Sequence, residues 1–419
     1  MFVRLIQEHE LLADKQDPAL EQLSLVSWDK PFIDQPWGYY ASYFIGAEWV
    51  NADKALVVTT KKGMENIDFI KLFTTCFFSN LALQSFSDIY TIDFEARPIY
   101  APSLKGILGP LITLHFIGVL HRIKDLKKGY ISHTENLKKV KGHIDMLKNQ
   151  RKNIMLNRMD RVYCRYDEYT VDIPENRLLK RALSISENVL KNMLVHHADG
   201  QYAQQILTKE TLRFQKVSDH VLINEVKQIK GHKLFKEYAE AIRLAKLIIT
   251  KSDFGVNSRS KNQEYIPPFR LDMSLLYEHY VYGLLHEAYG NKIIYQAKGE
   301  TGYPDFLYRS VSFKAICDTK YIPRYEFSKL DINVVRQLSG YSRDITILKQ
   351  LGLEDISESS TIPSIPCIII YPKEGKNDLN PFKGKSLKSL CDLPLKRLSQ
   401  FYKICVPLPC VCEGIRNNY

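Results

Sequence analysis

Residues 303–321 have the sequence YPDFLYRSVSFKAICDTKY, and this stretch decides the fold expected for the last third of the chain. It predicts two strands joined as a hairpin. Side chains two apart on a strand share a face, so Asp318 and Lys320 should point the same way. The hairpin should also bring Asp305, at the start of the first strand, near Asp318. The opposite face of the second strand should be apolar, with Val311, Phe313, Ala315 and Cys317.

Regular elements are predicted on both sides of this hairpin. One helix should begin at Asp272, which is a suitable N-cap, and another at about Asp331. Alternation of strands and helices implies a mixed sheet flanked by helices, and we expect such an α/β domain over residues 269–419. The further strands expected lie near Ile293, at Cys367–Tyr371 and at Phe401–Val406.

The rest of the chain predicts two further segments. Residues 1–101 are rich in β-prone runs such as Lys54–Thr60, and residues 102–251 have the apolar spacing of helices. The polar stretch 252–268 contains Gly and Pro and predicts a domain boundary. The expected fold class is therefore α+β multidomain, with a strand-rich N-terminal domain, a helical middle region and the C-terminal α/β domain.

Composition narrows the class of protein. Hydrophobic residues make up 45% and charged residues 25% of the 419 residues, the balance of a globular protein with a sizeable core. A net charge of +11 favours an anionic partner, most commonly nucleic acid, although many proteins are mildly basic without one. The lysine-rich stretch Lys124–Lys152 fits two interpretations equally, a solvated helix face or a surface that follows phosphates.

Cysteine usage and hydropathy suggest location. The eight cysteines are scattered, and only Cys410 and Cys412 are close, which is a weak metal signal; a reducing, cytoplasmic setting fits best. The N-terminus lacks a signal-peptide pattern. The longest apolar stretch, about Ile107–Leu120, predicts a buried helix, and we expect no membrane segment.

A set of polar residues follows the predicted elements in an order that suits phosphodiester hydrolysis. That reaction needs hard oxygen ligands for Mg²⁺ or Mn²⁺ beside a positive charge. Glu278 lies on the helix from Asp272, and Gln337 and Tyr341 are four apart on the next helix, so they share a face. An Asp and a Lys two apart on a strand are usually a solvated edge, Q-x-x-x-Y alone is a weak signal, and Glu278 could be a solvent-facing residue at the edge of an apolar stripe. The candidate catalytic residues are Glu278, Asp305, Asp318, Lys320, Gln337 and Tyr341, of which Asp305, Asp318 and Glu278 are the candidate metal ligands.

This ordered series resembles the PD-(D/E)xK nuclease superfamily, in the variant whose core is followed by a Q-x-x-x-Y helix. Segments outside the core are similar to the McrC family. PENRLLKRAL at 174–183 resembles its ENRLLK-AL segment, and LKKVKGHID at 137–145 resembles L-x-x-RGRID with lysine and histidine in place of arginines. CRYDE at 164–168, DM followed by YE between 272 and 278, and IIYP at 369–372 resemble further family segments.

The resemblance implies an activity and a partner. It implies that the chain is the nuclease component of a modification-dependent restriction system of the 5-methylcytosine type. Its C-terminal domain would then be restriction-endonuclease-like and would cut double-stranded DNA. The partner implied is McrB, an AAA+ GTPase ring on which the N-terminal segment docks and whose GTP hydrolysis it stimulates. Residues 1–419 contain no G-x-x-x-x-G-K-[ST] motif, so nucleotide hydrolysis is expected from the partner. Deleting the first hundred residues should then leave the nuclease domain folded.

Two other functions fit parts of the pattern. A repair nuclease linked to a helicase would share D-x-K and Q-x-x-x-Y, but the segments around Lys141 and Asn176 lie outside that shared core and favour the McrC family. A catalytically silent assembly or DNA-binding subunit would be expected to have lost an acid or the lysine. The complete set argues against such a loss.

Overall fold

The computed structural model of the chain describes residues 2–410 except 31–34, 79–88, 195–199, 221–235, 251–264, 327–330, 354–362, 376–379 and 392–393. Contacts group the chain into two compact units. The first unit combines Met1–Leu111 with Ser258–Tyr419, and the second is Ile112–Asn257. Most of the predicted boundary at 252–268, and Cys412 of the C-x-C pair, lie outside the described residues.

The N-terminal part of the first unit is rich in strands, as predicted. Its helices are α1 (Pro18–Glu21) and α2 (Phe69–Phe78). Its strands are β1 (Phe2–Gln7), β2 (Leu11–Ala13), β3 (Val26–Asp29), β4 (Gly38–Ala41), β5 (Phe44–Trp49), β6 (Lys54–Thr59), β7 (Tyr90–Ile92) and β8 (Ile99–Tyr100).

A long apolar helix, α3 (Leu108–Arg122), follows. With the turn before it, the stretch Pro102–Arg122 is long and apolar enough to cross a membrane, but 83% of its most apolar window is buried within the protein. Burial of this kind is typical of a core helix and agrees with the predicted buried helix.

The second unit is only partly helical, so the predicted helical middle region is wrong for residues 129–137, 143–144 and 162–170, which form strands. Its three-stranded sheet has the order β10-β11-β9. Exposure alternates along residues 129–134, which is typical of a strand with one face towards solvent. The elements are β9 (Gly129–Leu137), β10 (His143–Ile144), β11 (Val162–Thr170), α4 (Met146–Lys152), α5 (Pro174–Leu194), α6 (Gly200–Arg213) and α7 (Lys236–Thr250).

The correction changes the interpretation of the lysine-rich stretch. Only its last residues, in the short helix α4, are helical, and Lys138, Lys139 and Lys141 lie between β9 and β10. A single solvated helix face is therefore not the explanation of these lysines. Strand β9 pairs with β11 over nine residues, which gives the region an extended hairpin instead.

The segment PENRLLKRAL has a structural use in this unit. The Asn176 side chain is fully buried and donates to the carbonyls of Lys127 (2.8 Å) and Val171 (2.7 Å). Its Oδ1 accepts a hydrogen bond from the Tyr238 hydroxyl at 3.1 Å. Leaving such buried groups unpaired would be costly. Asn176 therefore connects the start of α5 to α7 and to the two chain segments at the open end of the β9–β11 pair.

The C-terminal part of the first unit contains the predicted mixed sheet. Its strands β14 and β15 are antiparallel to their neighbours, and β16, β17 and β19 are parallel to one another, in the order β14-β15-β16-β17-β19. The elements are β12 (Tyr265–Ile266), β13 (Phe269–Asp272), α8 (Met273–Tyr289), β14 (Ile293–Tyr295), β15 (Phe306–Arg309), β16 (Lys314–Thr319), α9 (Ile332–Tyr341), α10 (Ile345–Gln350), β17 (Cys367–Tyr371), β18 (Glu374–Gly375), β19 (Phe401–Cys405) and β20 (Leu408–Pro409).

Strand β16 is central, and this corrects the expected division into an apolar and a polar face. Ala315, Ile316, Cys317 and Asp318 are all buried, because β16 has a neighbour on each side and helices cover the sheet. Val311, expected on the apolar face, is fully exposed in the turn before the strand. Asp318 therefore lies in the interior of the unit instead of at a solvated edge.

The units do not coincide with the three predicted segments. Strand β13, predicted to start the C-terminal domain, pairs antiparallel with β5 and β7 of the N-terminal part in the sheet β1-β6-β5-β13-β7. Contacts therefore join the first and last parts of the chain in one unit, while independent folding of 1–101, 102–251 and 269–419 stays a prediction. The mixed α+β, multidomain class is confirmed.

Candidate active site

Two acidic side chains lie where the β15–β16 hairpin opens. Asp305 directly precedes β15, and Asp318 lies in β16. The register pairs Phe306 with Cys317, so the next position places Asp305 opposite Asp318. Asp305 Oδ2 accepts hydrogen bonds from the backbone N–H (2.6 Å) and the hydroxyl (2.5 Å) of Thr319. The hairpin therefore brings both carboxylates to the same end of the sheet.

Lys320 forms an ion pair with the more buried of these acids. Its Nζ lies 2.5 Å from Oδ2 of Asp318, whose side chain is 1% exposed. The other oxygen, Oδ1, has no hydrogen-bond partner among the described residues. A buried carboxylate with an unbonded oxygen is costly unless a cation compensates it. Asp318 thus keeps acceptor capacity beyond what Lys320 uses.

Glu278 approaches the same cluster from helix α8. The Asp272 side chain caps this helix by accepting from the Leu275 N–H, as predicted for its N-cap. Glu278 is half-buried, and its Oε1 accepts a hydrogen bond from Gln296 Nε2 at 3.0 Å. Glu278 also interacts electrostatically with Asp318 and Lys320. The third candidate carboxylate is therefore part of the cluster.

The electrostatics of the cluster favour a further cation. Burial raises the pKa of Glu278, Asp305 and Asp318, and mutual repulsion adds to this for Asp305, whose pKa lies well above its usual range. Burial alone would lower the pKa of Lys320, but the adjacent carboxylates outweigh it and the pKa is raised. One lysine faces three acids, so two negative charges remain to be compensated when all three are ionised.

The Gln337–Tyr341 pair borders the cluster on helix α9. Gln337 is exposed, and its Nε2 donates to the Tyr341 hydroxyl at 2.8 Å. That hydroxyl in turn donates to the Tyr303 carbonyl at 3.3 Å. Tyr341 is buried and interacts electrostatically with Asp318 and Lys320. Tyr341 therefore lies beside the acids, and Gln337 reaches solvent on the same side.

Two residues that contact the cluster were not predicted from the sequence. Thr319 could have been noticed as the hydroxyl between Asp318 and Lys320, but alternation places it on the other face of the strand. It reaches Asp305 because β16 ends there. Gln296 follows β14 with a positive φ of 44°, and nothing in its neighbours indicates a contact with Glu278.

Substituting Thr319 tests whether Asp305 must be held in place. Thr319→Val keeps the shape but removes the hydroxyl bond to Asp305, and hydrogen bonds to charged groups contribute about 1.5–3 kcal/mol. If the cluster hydrolyses phosphodiesters as the sequence predicts, the single-turnover rate of that reaction should fall by about 10-fold or more. The matched control is Thr134→Val, an exposed threonine on β9, which should cleave at the unchanged rate. Equal rates for both variants would show that this bond is dispensable.

The donor chemistry of the cluster fits a hard divalent cation. Carboxylate oxygens are the ligands that Mg²⁺ and Mn²⁺ prefer, and Asp318 supplies one buried oxygen, Oδ1, that has no hydrogen bond among the described residues. Within the described residues, no three His, Cys, Asp or Glu side chains lie close enough together to hold an ion as they stand. Lys320 occupies one side of Asp318 and Thr319 binds one oxygen of Asp305. The side chains are therefore of the type that binds such a cation. In the observed arrangement, however, Asp305 and Asp318 contact donors of the protein itself.

Comparison with known proteins identifies a family. The model of the family described as "McrBC 5-methylcytosine restriction system component" matches residues 110–339, more than half of the chain. This range includes Glu278, Asp305, Asp318, Lys320 and Gln337. No curated protein matches the sequence.

Solved structures that are similar to the chain include two complexes. One is the refined half-complex from a tetradecameric assembly of Thermococcus gammatolerans McrB AAA+ hexamers with bound McrC, at 14% identity and a TM-score of 0.40, covering 98% of this chain and 95% of that one. The other is the cryo-EM structure of the Thermococcus gammatolerans McrBC complex, at 14% identity and a TM-score of 0.32, covering 68% and 87%.

Proposed function

The chain belongs to the McrBC 5-methylcytosine restriction system component family, and we propose that it is the nuclease subunit of such a system, cutting double-stranded DNA by metal-assisted phosphodiester hydrolysis. The observation that carries the proposal is Asp318, a buried carboxylate that contacts Lys320, faces Asp305 across the hairpin and has no hydrogen bond on Oδ1 among the described residues. A structural acid in a protein interior is normally hydrogen-bonded. Asp318 is better explained as a ligand.

Each residue of the cluster has its own role in the proposed reaction. Asp318, Asp305 and Glu278 would hold Mg²⁺ or Mn²⁺, which supplies Lewis-acid stabilisation of the phosphate and lowers the pKa of water. Lys320 places a positive charge where negative charge develops on the phosphate oxygens, and its ammonium can orient the attacking water. Gln296 orients Glu278, and Thr319 orients Asp305. This is the chemistry of a PD-(D/E)xK nuclease, the fold type that we propose for the mixed sheet.

The α9 pair would contact the DNA. Gln337 is exposed and its amide already donates to Tyr341, which lies beside the acids. Both side chains carry donors suited to phosphate oxygens, and such contacts position DNA without reading its sequence. The net charge of +11 supports an anionic substrate.

We further propose that cleavage depends on an AAA+ GTPase of the McrB type. Family membership supports the partner, and the absence of a phosphate-binding G-x-x-x-x-G-K-[ST] motif from residues 1–419 supports a nucleotide site outside this chain. Coupling cleavage to a separate recognition subunit would confine cutting to DNA that the partner has selected.

Reconstitution tests this division of roles. Purified chain, McrB-type GTPase, GTP, Mg²⁺ and DNA carrying 5-methylcytosine should give cleavage, and omitting any one component should lower the rate by at least about 100-fold, or about 3 kcal/mol in the barrier. Unmethylated DNA of the same sequence is the control. Efficient cutting by the chain alone would contradict dependence on the partner and favour a free-standing or repair nuclease.

A further inference from the structure

Two buried residues of opposite charge lie in the first unit outside the set of candidate catalytic residues. Glu8 follows β1 and is 5% exposed, and Lys61 follows β6 and is 7% exposed. The Lys61 backbone N–H donates to Glu8 Oε2 at 3.2 Å. Burial raises the pKa of Glu8 to about 7 and lowers that of Lys61 to about 8, which reflects the cost of removing these charges from water. A pair this unfavourable needs further partners.

Those partners belong to the segment that follows β16. Lys61 Nζ donates to the carbonyl of Tyr321 at 2.5 Å and lies 3.6 Å from the centroid of its ring. The Tyr321 hydroxyl donates to Glu8 Oε2 at 3.3 Å. The ring of Tyr43 flanks the same ammonium at 4.9 Å. Tyr321 is therefore held at its carbonyl by Lys61 and at its hydroxyl by Glu8.

Tyr321 directly follows Lys320, at the point where the chain leaves the sheet. Strand β16 ends at Thr319, and the last sheet-like bond is from the Lys320 N–H to the Ile370 carbonyl at 2.8 Å. A carbonyl that leaves a sheet in the protein interior needs a new hydrogen-bond donor, and Lys61 provides it for Tyr321. The direction of the backbone beyond Lys320 is thus set by a side chain from the N-terminal part.

The same tyrosine also touches the helix that carries Glu278. The rings of Tyr321 and Tyr277 have centroids 5.9 Å apart, and both side chains are buried. Tyr277 immediately precedes Glu278 on α8. The cluster of Glu8, Lys61, Tyr321 and Tyr277 therefore adjoins two of the chain segments that supply the candidate active site.

We propose that Lys61 is a positioning residue for Lys320: by binding the Tyr321 carbonyl it fixes the backbone so that the Lys320 ammonium stays against Asp318. The inference rests on the proposed nuclease function for its catalytic consequence only. Lys61 and Tyr321 are 260 residues apart in the sequence. No motif around Lys61 indicates this role.

The test compares Lys61→Met, which keeps the aliphatic length but removes the donor, with Lys62→Met, an exposed neighbour. Three readouts use the full chain. They are single-turnover DNA cleavage with the GTPase partner, Mn²⁺ affinity by calorimetry, and the rate at which an amine-acylating reagent modifies Lys320, followed by mass spectrometry.

We expect Lys61→Met to slow cleavage by about 10-fold or more, the order expected from losing one charge-assisted hydrogen bond. Acylation of Lys320 should become faster by at least about 3-fold as its ion pair with Asp318 loosens. Mn²⁺ affinity should change by less than about 3-fold, because the carboxylates stay in place; a general loss of structure would weaken it strongly. Lys62→Met should match the wild type in all three.

Wild-type cleavage and wild-type Lys320 acylation in Lys61→Met would overturn the inference. So would a loss of Mn²⁺ binding that parallels the loss of cleavage. If Lys61→Met does not fold, Lys61→Gln retains a shorter donor and should show the same changes to a smaller degree. If the wild type itself does not cut DNA, the nuclease proposal fails, and Lys320 acylation still decides whether Lys61 positions Lys320.

Discussion

The Asp318→Asn variant is expected to lose Mg²⁺-dependent DNA cleavage, by about 1,000-fold or more, while keeping its fold. The amide has nearly the shape of the carboxylate but removes its charge and presents an N–H group where an acceptor oxygen stood. Asp318 is central to the cluster because it contacts Lys320, faces Asp305 across the hairpin and interacts with Glu278. Its loss would therefore remove the ligand shared by all the other groups.

The measurement is a single-turnover cleavage rate with the GTPase partner, beside Mn²⁺ affinity and circular dichroism of the chain alone. Glu300→Gln is the matched control, since Glu300 is an exposed acid in the same unit, and it should behave like the wild type. Asp318→Asn should bind Mn²⁺ at least about 10-fold more weakly. Cleavage at the wild-type rate by a folded Asp318→Asn variant would remove Asp318 from the mechanism and with it the proposed metal site.

Local sequence patterns were sufficient to predict much of the C-terminal sheet. The apolar run at β17 and the hairpin before it were predicted close to their observed bounds, because buried strands leave an uninterrupted apolar pattern. The starts of α8 and α9 were predicted because Asp272 and Asp331 cap them with their side chains. Glu278, Asp318 and Lys320 could be placed together from these elements alone.

Contacts between distant segments could not be predicted in this way. The pairing of β13 with β5 and β7 depends on the register of three separated strands, and no feature of Phe269–Asp272 identifies its neighbours. The role of Lys61 at Tyr321 has the same origin. The sheet in the second unit was missed for another reason: β9 is mostly polar, so its period of two is carried by few apolar residues, and nearby helical patterns were extended across it.

Deleting residues 1–101 is expected to unfold the unit that carries the candidate active site, contrary to the expectation drawn from the sequence. Strand β13 would lose both neighbours in the sheet, and Leu271, now fully buried between them, would be exposed. Helix α8 would lose its contact with α2, where Cys76 Sγ donates to the Leu276 carbonyl at 3.6 Å. The Tyr321 carbonyl would lose Lys61.

The free energies of burial and of folding explain why losing these contacts should unfold the unit. Burying one large apolar side chain contributes about 1.5–3 kcal/mol, whereas a whole domain is stable by only about 5–15 kcal/mol. The deletion uncovers Phe269, Leu271 and Leu276 together, all of which are buried in the intact unit, and it also breaks three strand pairings, β13 with β5, β13 with β7 and β12 with β8. Residues 102–419 alone should therefore show no cooperative melt of this unit by circular dichroism and should be cut by protease within residues 265–326.

Co-expression with residues 1–101 as a separate chain should restore the cooperative melt and the resistance to protease. This control distinguishes a lost structural partner from damage at the new terminus. A cooperative melt of 102–419 at the full-length temperature would instead establish the C-terminal segment as a domain that folds by itself, and would make the N-terminal strands available purely for docking on the GTPase.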